Sequence, residues 1–262
     1  MIRRIHWPEA PRNVVLRLTD REGGVSREPY ASFNLATHVG DDPAAVAENR
    51  LRLARLLPAM PLWLEQVHGA RVFDADREPW EGTPPQADAA VTTRPNLPLA
   101  VLTADCLPVA FAACDGTRVA VAHAGWRGLA GGVLEAVAAH FPPQGFVAWI
   151  GPGIGPAHYE VGEEVRGVFL DQTPSLARFF VPGRDGAHWL ADLVGIARAK
   201  LLAAGAAAVS LGGICTFYDK AFYSYRREGG CTGRFALCLW RASGYMTHAA
   251  VHDCRHAPFV PQ

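Results

Sequence analysis

The sequence predicts an α+β fold in which mixed β-sheet layers are flanked by helices. Three observations lead there. Short runs rich in Val and Leu, too brief for helices, alternate along the chain with longer segments of helical period. Asp115-Gly116 separates two such runs, Leu107 to Ala113 and Val119 to His123, and Asp-Gly between apolar runs is a strong hairpin signal. Antiparallel pairs of this kind argue for a mixed sheet rather than a pure βαβ wind. The 262 residues, 50% of them hydrophobic, suffice for a full core.

In order, Asn13 to Leu18 reads as an early strand. The following segment to Asp42 is polar and aromatic by turns with no period, the character of a functional or disordered loop. Pro43 to Leu57 predicts a helix, with Asp41 or Asp42 as cap, Pro43 in the first turn and Val46, Leu53, Leu56 and Leu57 along an apolar stripe. Pro61 to Gly69 predicts a short strand ending at His68, and residues 74–87 a loop. Strands are then expected at Ala87 to Thr93, Leu99 to Thr103, Leu107 to Ala113 and Val119 to His123, and a helix from Leu129 to His140. Phe146 to Ile150 reads as a strand leading into Gly151-Pro-Gly-Ile-Gly155, where Pro152 lacks the N–H of a phosphate loop. Helices are expected over Glu160 to Leu170 and Trp189 to Ala204, and strands at Ala207 to Leu211 and Phe235 to Arg241. No repeat, linker or compositional break interrupts the chain, which predicts a single domain.

The formal net charge is zero, which gives no electrostatic reason to expect nucleic acid or an anionic membrane as partner. The basic start lacks the apolar core of a secretion signal, and no apolar run reaches the ~18 residues of a spanning helix. A cytoplasmic protein is expected; no sequence feature sets its oligomeric state. The six cysteines form no CxxC pair, so a four-cysteine zinc ribbon is excluded by spacing.

Chemistry concentrates at predicted strand ends. His68, Cys106 and His123 each close or open a strand beside glycine or proline, at separations of 38 and 17 residues. Two imidazoles and a thiolate can hold zinc with a fourth position open. Cys106 and His123 can equally act without metal as nucleophile and base, with Asp105 or another acid orienting the imidazole. A His₂Cys set also suits copper, but no methionine flanks these motifs and no His-x-His pair occurs, which argues against oxygen reduction. Spacing alone leaves these readings open beside that of three unrelated side chains. Arg127, with the helix expected just after it, favours an anion near His123. Tyr223, Tyr225, Arg226 and Arg227 suit an aromatic anion or plain strand packing with solvated arginines. His248, His252, Cys254 and His256 cluster near the C-terminus.

Taken together, Gln66-Val-His-Gly69, Thr103-Ala-Asp-Cys106, Ala122-His-Ala-Gly-Trp-Arg-Gly128, Ile150-Gly-Pro-Gly-Ile-Gly155, Tyr159-Glu-Val-Gly-Glu-Glu164, Phe222-Tyr-Ser-Tyr-Arg-Arg227 and Thr232-Gly-Arg234 form a recognisable set. With Ser32-Phe-Asn-Leu35 and His38-Val-Gly-Asp41, the chain resembles the YfiH-like, laccase-domain family over nearly its whole length. That family was first called multicopper polyphenol oxidases and is now described as purine nucleoside phosphorylases. The resemblance implies an α/β/β/α sandwich, a catalytic domain over residues 1–245 and a tail over 246–262. It implies a metal on His68, Cys106 and His123, zinc with copper as the alternative. It also implies phosphorolysis of adenosine, guanosine, inosine and methylthioadenosine, and deamination of adenosine. The partners would be a purine nucleoside and phosphate. On that reading Arg127 holds phosphate, Asp105 orients a ligand or moves a proton, and Asn34, His38 and Gln66 contact the nucleoside. The His-x-Glu and Pro-Cys-x-x-Cys signature of unrelated zinc deaminases is absent. The alternatives are a laccase-like polyphenol oxidase and a metal-independent Cys-His hydrolase editing peptidoglycan precursors.

Overall fold

A computed structural model of the chain describes residues 2–184 and 186–243. In chain order the elements are β1 (Ile2–Arg4), β2 (Val14–Thr19), α1 (Pro43–Ala54), β3 (Val72–Asp74), β4 (Ala89–Thr92), β5 (Leu99–Thr103), β6 (Leu107–Ala113) and β7 (Val119–Ala124). There follow α2 (Trp126–Ala130), α3 (Val133–Ala138), β8 (Phe146–Ile150), β9 (Glu160–Val161), α4 (Glu163–Gln172), β10 (Phe180–Pro182), β11 (Trp189–Ala191), α5 (Leu193–Ala203), β12 (Ala208–Leu211) and β13 (Phe235–Arg241).

Three sheets result. A six-stranded mixed sheet runs β12-β8-β6-β7-β4-β3, a four-stranded sheet β1-β2-β13-β5, and a small one β10-β11-β9. Their packing follows from side-chain alternation along each strand. On one face of the six-stranded sheet Val109, Phe111, Ala122, Phe146 and Ile150 meet Leu129, Val133, Leu134, Val137, Ile196 and Leu201 of the helices. On its other face Ala110, Val119, Val121, Val147 and Trp149 meet Leu16, Leu18, Leu99, Val101, Leu237 and Leu239 of the four-stranded sheet. The outer face of that second sheet, with Ala100, Leu102, Ala236 and Cys238, is closed by Leu53 of α1 together with Phe33, Leu35 and Trp63. The order helix, sheet, sheet, helix is the expected α+β sandwich. Because β6, β7 and β8 are covered on both faces, every one of their residues is buried. Their uninterrupted apolar runs have that cause.

Several elements differ from expectation. Residues 61–69 make only isolated bridges, Leu62 with Leu99 of β5 and Glu65 with Gln86, so the chain there runs beside β5 without forming a strand. The helix expected over Leu129 to His140 is two short ones, broken where Gly132 takes φ +86°. The helices expected from Glu160 and Trp189 each begin with a strand, β9 and β11, and helix starts only after Gly162 and Asp192. The Asp192 carboxylate accepts from the Gly195 N–H, 2.9 Å, and so caps α5. The Asp115-Gly116 hairpin forms as expected, with Gly116 at φ +72° and β6 antiparallel to β7. No helix among the described residues is long and apolar enough to cross a membrane. The tail over 246–262, with its histidines and Cys254, lies outside the described residues.

Candidate metal centre

The site is built where the chain passes from one sheet to the other. β5 belongs to the four-stranded sheet and β6 to the six-stranded one, so Ala104-Asp105-Cys106 is the link between layers. Asp105 takes φ +90°, a conformation L residues rarely adopt. It is held there by the Thr216 hydroxyl donating to Oδ1, 2.6 Å, and the Arg226 N–H donating to Oδ2, 2.7 Å. Behind it the Ile154 N–H donates to the Asp105 carbonyl, 2.9 Å. A Cβ on Gly153 would stand 2.3 Å from Leu107 Cδ2, so glycine there lets the Gly151–Gly155 turn close against the link.

His123 comes from the end of β7, paired with Pro108 of β6, and is 4% exposed. His68 comes from the 61–69 segment and is exposed at φ +59°. The ligating atoms of His68, Cys106 and His123 all lie within 4.8 Å of one another. The two rings meet edge to face with centroids 4.8 Å apart. Gly125 completes the enclosure, because a Cβ there would stand 2.8 Å from Cys106 Sγ and 3.1 Å from His68 Cδ2.

One carboxylate that the sequence reading passed over organises two of the three donors. Asp88, just before β4, is fully buried. Its Oδ1 lies 2.8 Å from His123 Nδ1 and accepts from the His68 N–H, 2.9 Å. Its Oδ2 accepts from the N–H groups of Val67, 3.1 Å, and Gly69, 2.7 Å. Three successive backbone donors closing on one carboxylate hold the left-handed turn at His68. A carboxylate on one ring nitrogen leaves the other to face the centre, the usual support of a metal-binding imidazole. Orienting His123 therefore falls to Asp88 rather than Asp105. The available signal was a lone acid in the otherwise apolar run Ala87 to Val91.

Burial alone would raise the Cys106 thiol, but the His123 imidazolium beside it and hydrogen bonds from both imidazoles bring it down to about 6. Burial would likewise keep His123 neutral, and the Cys106 thiolate and Asp88 instead hold its proton up to about 9. Without a metal the pair is thus a thiolate and an imidazolium. Burial pushes the Asp88 carboxyl up, but His123 and the Gly69 and Val67 N–H groups together outweigh it and hold it below the usual range.

These donors lie in a cavity of about 510 Å³ lined also by His38, Gln66, Leu102, Thr103, Trp126, Arg127, Tyr159, Tyr225, Arg226 and Arg234, within the span usual for small-molecule sites. Arg127 is exposed and lies over Trp126, 4.3 Å from the ring centre, with no carboxylate partner among the described residues. Gln66 lines the cavity with its amide bound to both the Leu102 carbonyl and N–H, 2.8 and 2.7 Å. His38 lines it too, and burial together with Arg234 and Arg50 keeps its imidazole neutral below the ordinary pKa. Asn34 does not line it: fully buried, it accepts from the Arg234 N–H, 2.9 Å, and donates to Asp41 Oδ2, 2.9 Å. It braces the loop carrying His38 instead of reaching a ligand. Of the aromatic and basic run at 223–227, Tyr225 and Arg226 face the cavity. Tyr223 is buried and donates to the Tyr30 carbonyl, 2.8 Å. Arg227 is not solvated; it donates to the Thr216, Phe217 and Phe222 carbonyls and pairs with Glu228. The run is a turn, not a strand.

The fold and this centre define a class: a two-sheet sandwich with a thiolate and two imidazoles gathered at the crossing between its sheets. Residues 15–242 match the family described as multi-copper polyphenol oxidoreductase laccase, and the chain belongs to that family. It is 48% identical over 237 residues to the purine nucleoside phosphorylase PA4543 of Pseudomonas aeruginosa, covering 89% of this chain and 96% of that protein. It is 44% identical to the purine nucleoside phosphorylase YfiH of Escherichia coli, with the same coverage. Among solved structures it is similar to the Neisseria meningitidis protein NMB0706, with a TM-score of 0.85 at 43% identity over 92% of this chain and 99% of that one.

Proposed function

We propose that this chain is a zinc-dependent purine nucleoside phosphorylase that also deaminates adenosine. The observation that carries the reading is the group His68, Cys106 and His123 on the wall of a nucleoside-sized cavity, in a chain whose relatives are named for phosphorolysis. The donor set fits zinc: borderline-soft, satisfied by thiolate and imidazole, and catalytic with three protein ligands. Copper of the electron-transfer type would want a weak axial methionine, and none lines the cavity among the described residues. When bound, the metal supplies Lewis acidity on the cavity wall.

The chain's own groups do the rest. Arg127 holds phosphate, and Gln66 and His38 face the nucleoside. A phosphate oxygen bonds to the ribose C1′ as the C1′–N9 bond breaks; the bonding pair leaves with N9, and uptake of a proton gives free purine and ribose 1-phosphate. Adenosine, guanosine, inosine and methylthioadenosine share that bond. In deamination, water adds to C6 of adenine and ammonia departs, leaving inosine. Asp105 is a buried carboxylate at the cavity whose two oxygens are already acceptors, which suits fixing the link beside Cys106 more than moving a proton.

The test is direct. The purified chain with zinc, inosine and phosphate should yield hypoxanthine and ribose 1-phosphate, and Cys106→Ala should lose both turnover and metal. Retained phosphorolysis in that variant would refute the centre. A second reading is favoured by the thiolate–imidazolium pair itself: Cys106 as nucleophile without metal, with His123 the base that has already taken its proton. Activity in rigorously metal-free protein would select it.

A further inference from the structure

Directly after Arg226, which lines the cavity, the chain carries an ion pair that does not. Glu228 Oε1 accepts from Arg227 Nη2, 2.9 Å, and from Arg21 Nη1, 2.7 Å, and its Oε2 accepts from the Thr232 hydroxyl. The side chains of Arg21 and Arg227 are each 17% exposed and that of Glu228 22%. Charges withdrawn from water in this way gain little stability over apolar residues of the same size, so what they supply here is placement more than stability.

The Arg227 guanidinium reaches main chain as well as Glu228. Its Nη1 donates to the Thr216 and Phe217 carbonyls, and its Nη2 to that of Phe222, 2.6 Å. Thr216 is fully buried, and its hydroxyl donates to Asp105 Oδ1, 2.6 Å. The other oxygen of Asp105 accepts from the N–H of Arg226, 2.7 Å, the residue bonded to Arg227 in the chain. Both donors that hold Asp105 at φ +90° are therefore anchored by one guanidinium. A residue in that region keeps its conformation only where its surroundings over-determine it, and Cys106 is the next residue. Thr232 leads away from this link: its carbonyl accepts from Arg234 Nη1, 2.7 Å.

We propose that Arg227, fixed by Glu228 and Arg21, is a positioning residue for the metal centre. Through Thr216 and the Arg226 N–H it holds Asp105, and so sets where Cys106 Sγ stands relative to His68 and His123. The assignment rests on the metal-binding reading of those three donors and not on the identity of the substrate.

The experiment compares the full-length protein with Arg227→Lys, Thr216→Val, Thr216→Ser and Thr232→Val. Lysine keeps the charge beside Glu228 but has no planar fork to serve the carbonyls; valine keeps the shape of threonine without its hydroxyl. Zinc affinity is measured by chelator competition with zinc alone, and hydrogen exchange at the Arg226 amide is followed by NMR in the metal-free protein. Arg227→Lys and Thr216→Val should each weaken zinc about tenfold or more, as for lost support behind a metal ligand. Both should speed exchange at Arg226 while β8 stays protected, a local opening and not a global one. Thr216→Ser should restore both readouts. Joining Arg227→Lys to Thr216→Val should weaken zinc little more than either alone, because the two act along one chain of contacts. Thr232→Val removes a buried hydroxyl of the same kind and should bind zinc as the unaltered protein does; equal weakening there marks a general loss of stability and overturns the positioning role. Zinc affinity unchanged in Arg227→Lys overturns it too, and if that variant does not fold, the Thr216 pair gives the same decision. If the unaltered protein binds no zinc, the metal reading falls, and exchange at Arg226 decides the hold on Asp105 alone: faster in the variants supports it, unchanged overturns it.

Discussion

Replacing Asp88 with Asn tests the centre at its most connected point. The change removes one negative charge and one of two acceptor oxygens while keeping size and shape. The carboxylate serves four donors, two on each oxygen: His123 Nδ1 and the His68 N–H on Oδ1, the Val67 and Gly69 N–H groups on Oδ2. An amide has one acceptor oxygen, and its NH₂ would face two N–H groups. Whichever way it turns, two donors lose their partner. An unsatisfied buried donor costs about 1–3 kcal/mol, and Val67 and His68 are exposed enough for water to offset part of it, so about 2–4 kcal/mol of stability should go. Loss of a carboxylate behind a ligating imidazole lowers metal affinity about 10–100-fold. Zinc affinity from chelator competition and stability from urea unfolding measure the two effects. The acid limb supplies a sign. The folded Asp88 carboxyl lies below its unfolded value, so its stabilisation is present above about pH 4 and is lost as pH falls through the folded value. Asp88→Asn should therefore flatten the acid side of the stability profile. Unchanged zinc affinity with unchanged unfolding would refute the role given to Asp88.

Three further outcomes are expected. In metal-free protein, alkylation of Cys106 should follow a thiolate that titrates near 6, well under the ~8.5 of an ordinary thiol, and zinc should protect it; a midpoint at the ordinary value removes the ion pair. Gly125→Ala puts a Cβ 2.8 Å from Cys106 Sγ, so zinc content measured after dialysis should collapse while the far-ultraviolet spectrum stays native. A stoichiometric ion in that variant would show the enclosure to be looser than described. Asn34→Ala strands the Arg234 and Ala36 N–H groups; about 1–3 kcal/mol of stability should be lost and the nucleoside KM should rise, with zinc affinity unmoved. Equal stability of the two proteins would argue against the bracing role.

The strands of the double-sheet core were readable because burial on both faces leaves no choice of residue: Phe235–Arg241 and Phe146–Ile150 appear where their apolar runs predict them. The short pieces were not. β9 and β11 are strands of two and three residues directly ahead of helices, and such runs carry no period of their own. The Pro61-to-Gly69 segment has strand-like composition, yet it makes only two isolated bridges. Asn34 looks from its polarity like a ligand contact; the buried donors around it, on residues as far off as Arg234, make it a brace. Asp88 was passed over for the opposite reason, since nothing near it in sequence shows that the turn at His68 closes on it.

By itself the sequence determined the α+β class, the hairpin at Asp115-Gly116 and the motifs that mark the family, because these depend on local periodicity, turn chemistry and residue identity. Which side chains meet was decided only by the tertiary structure. His68, Cys106 and His123 come from three separate segments, brought within 4.8 Å because β5 and β6 lie in different sheets and the link between them crosses at the sandwich edge. The same crossing sets Asp88 behind His123 and Arg226 behind Asp105. Contacts of this kind follow from how layers stack, and spacing along one chain does not encode stacking.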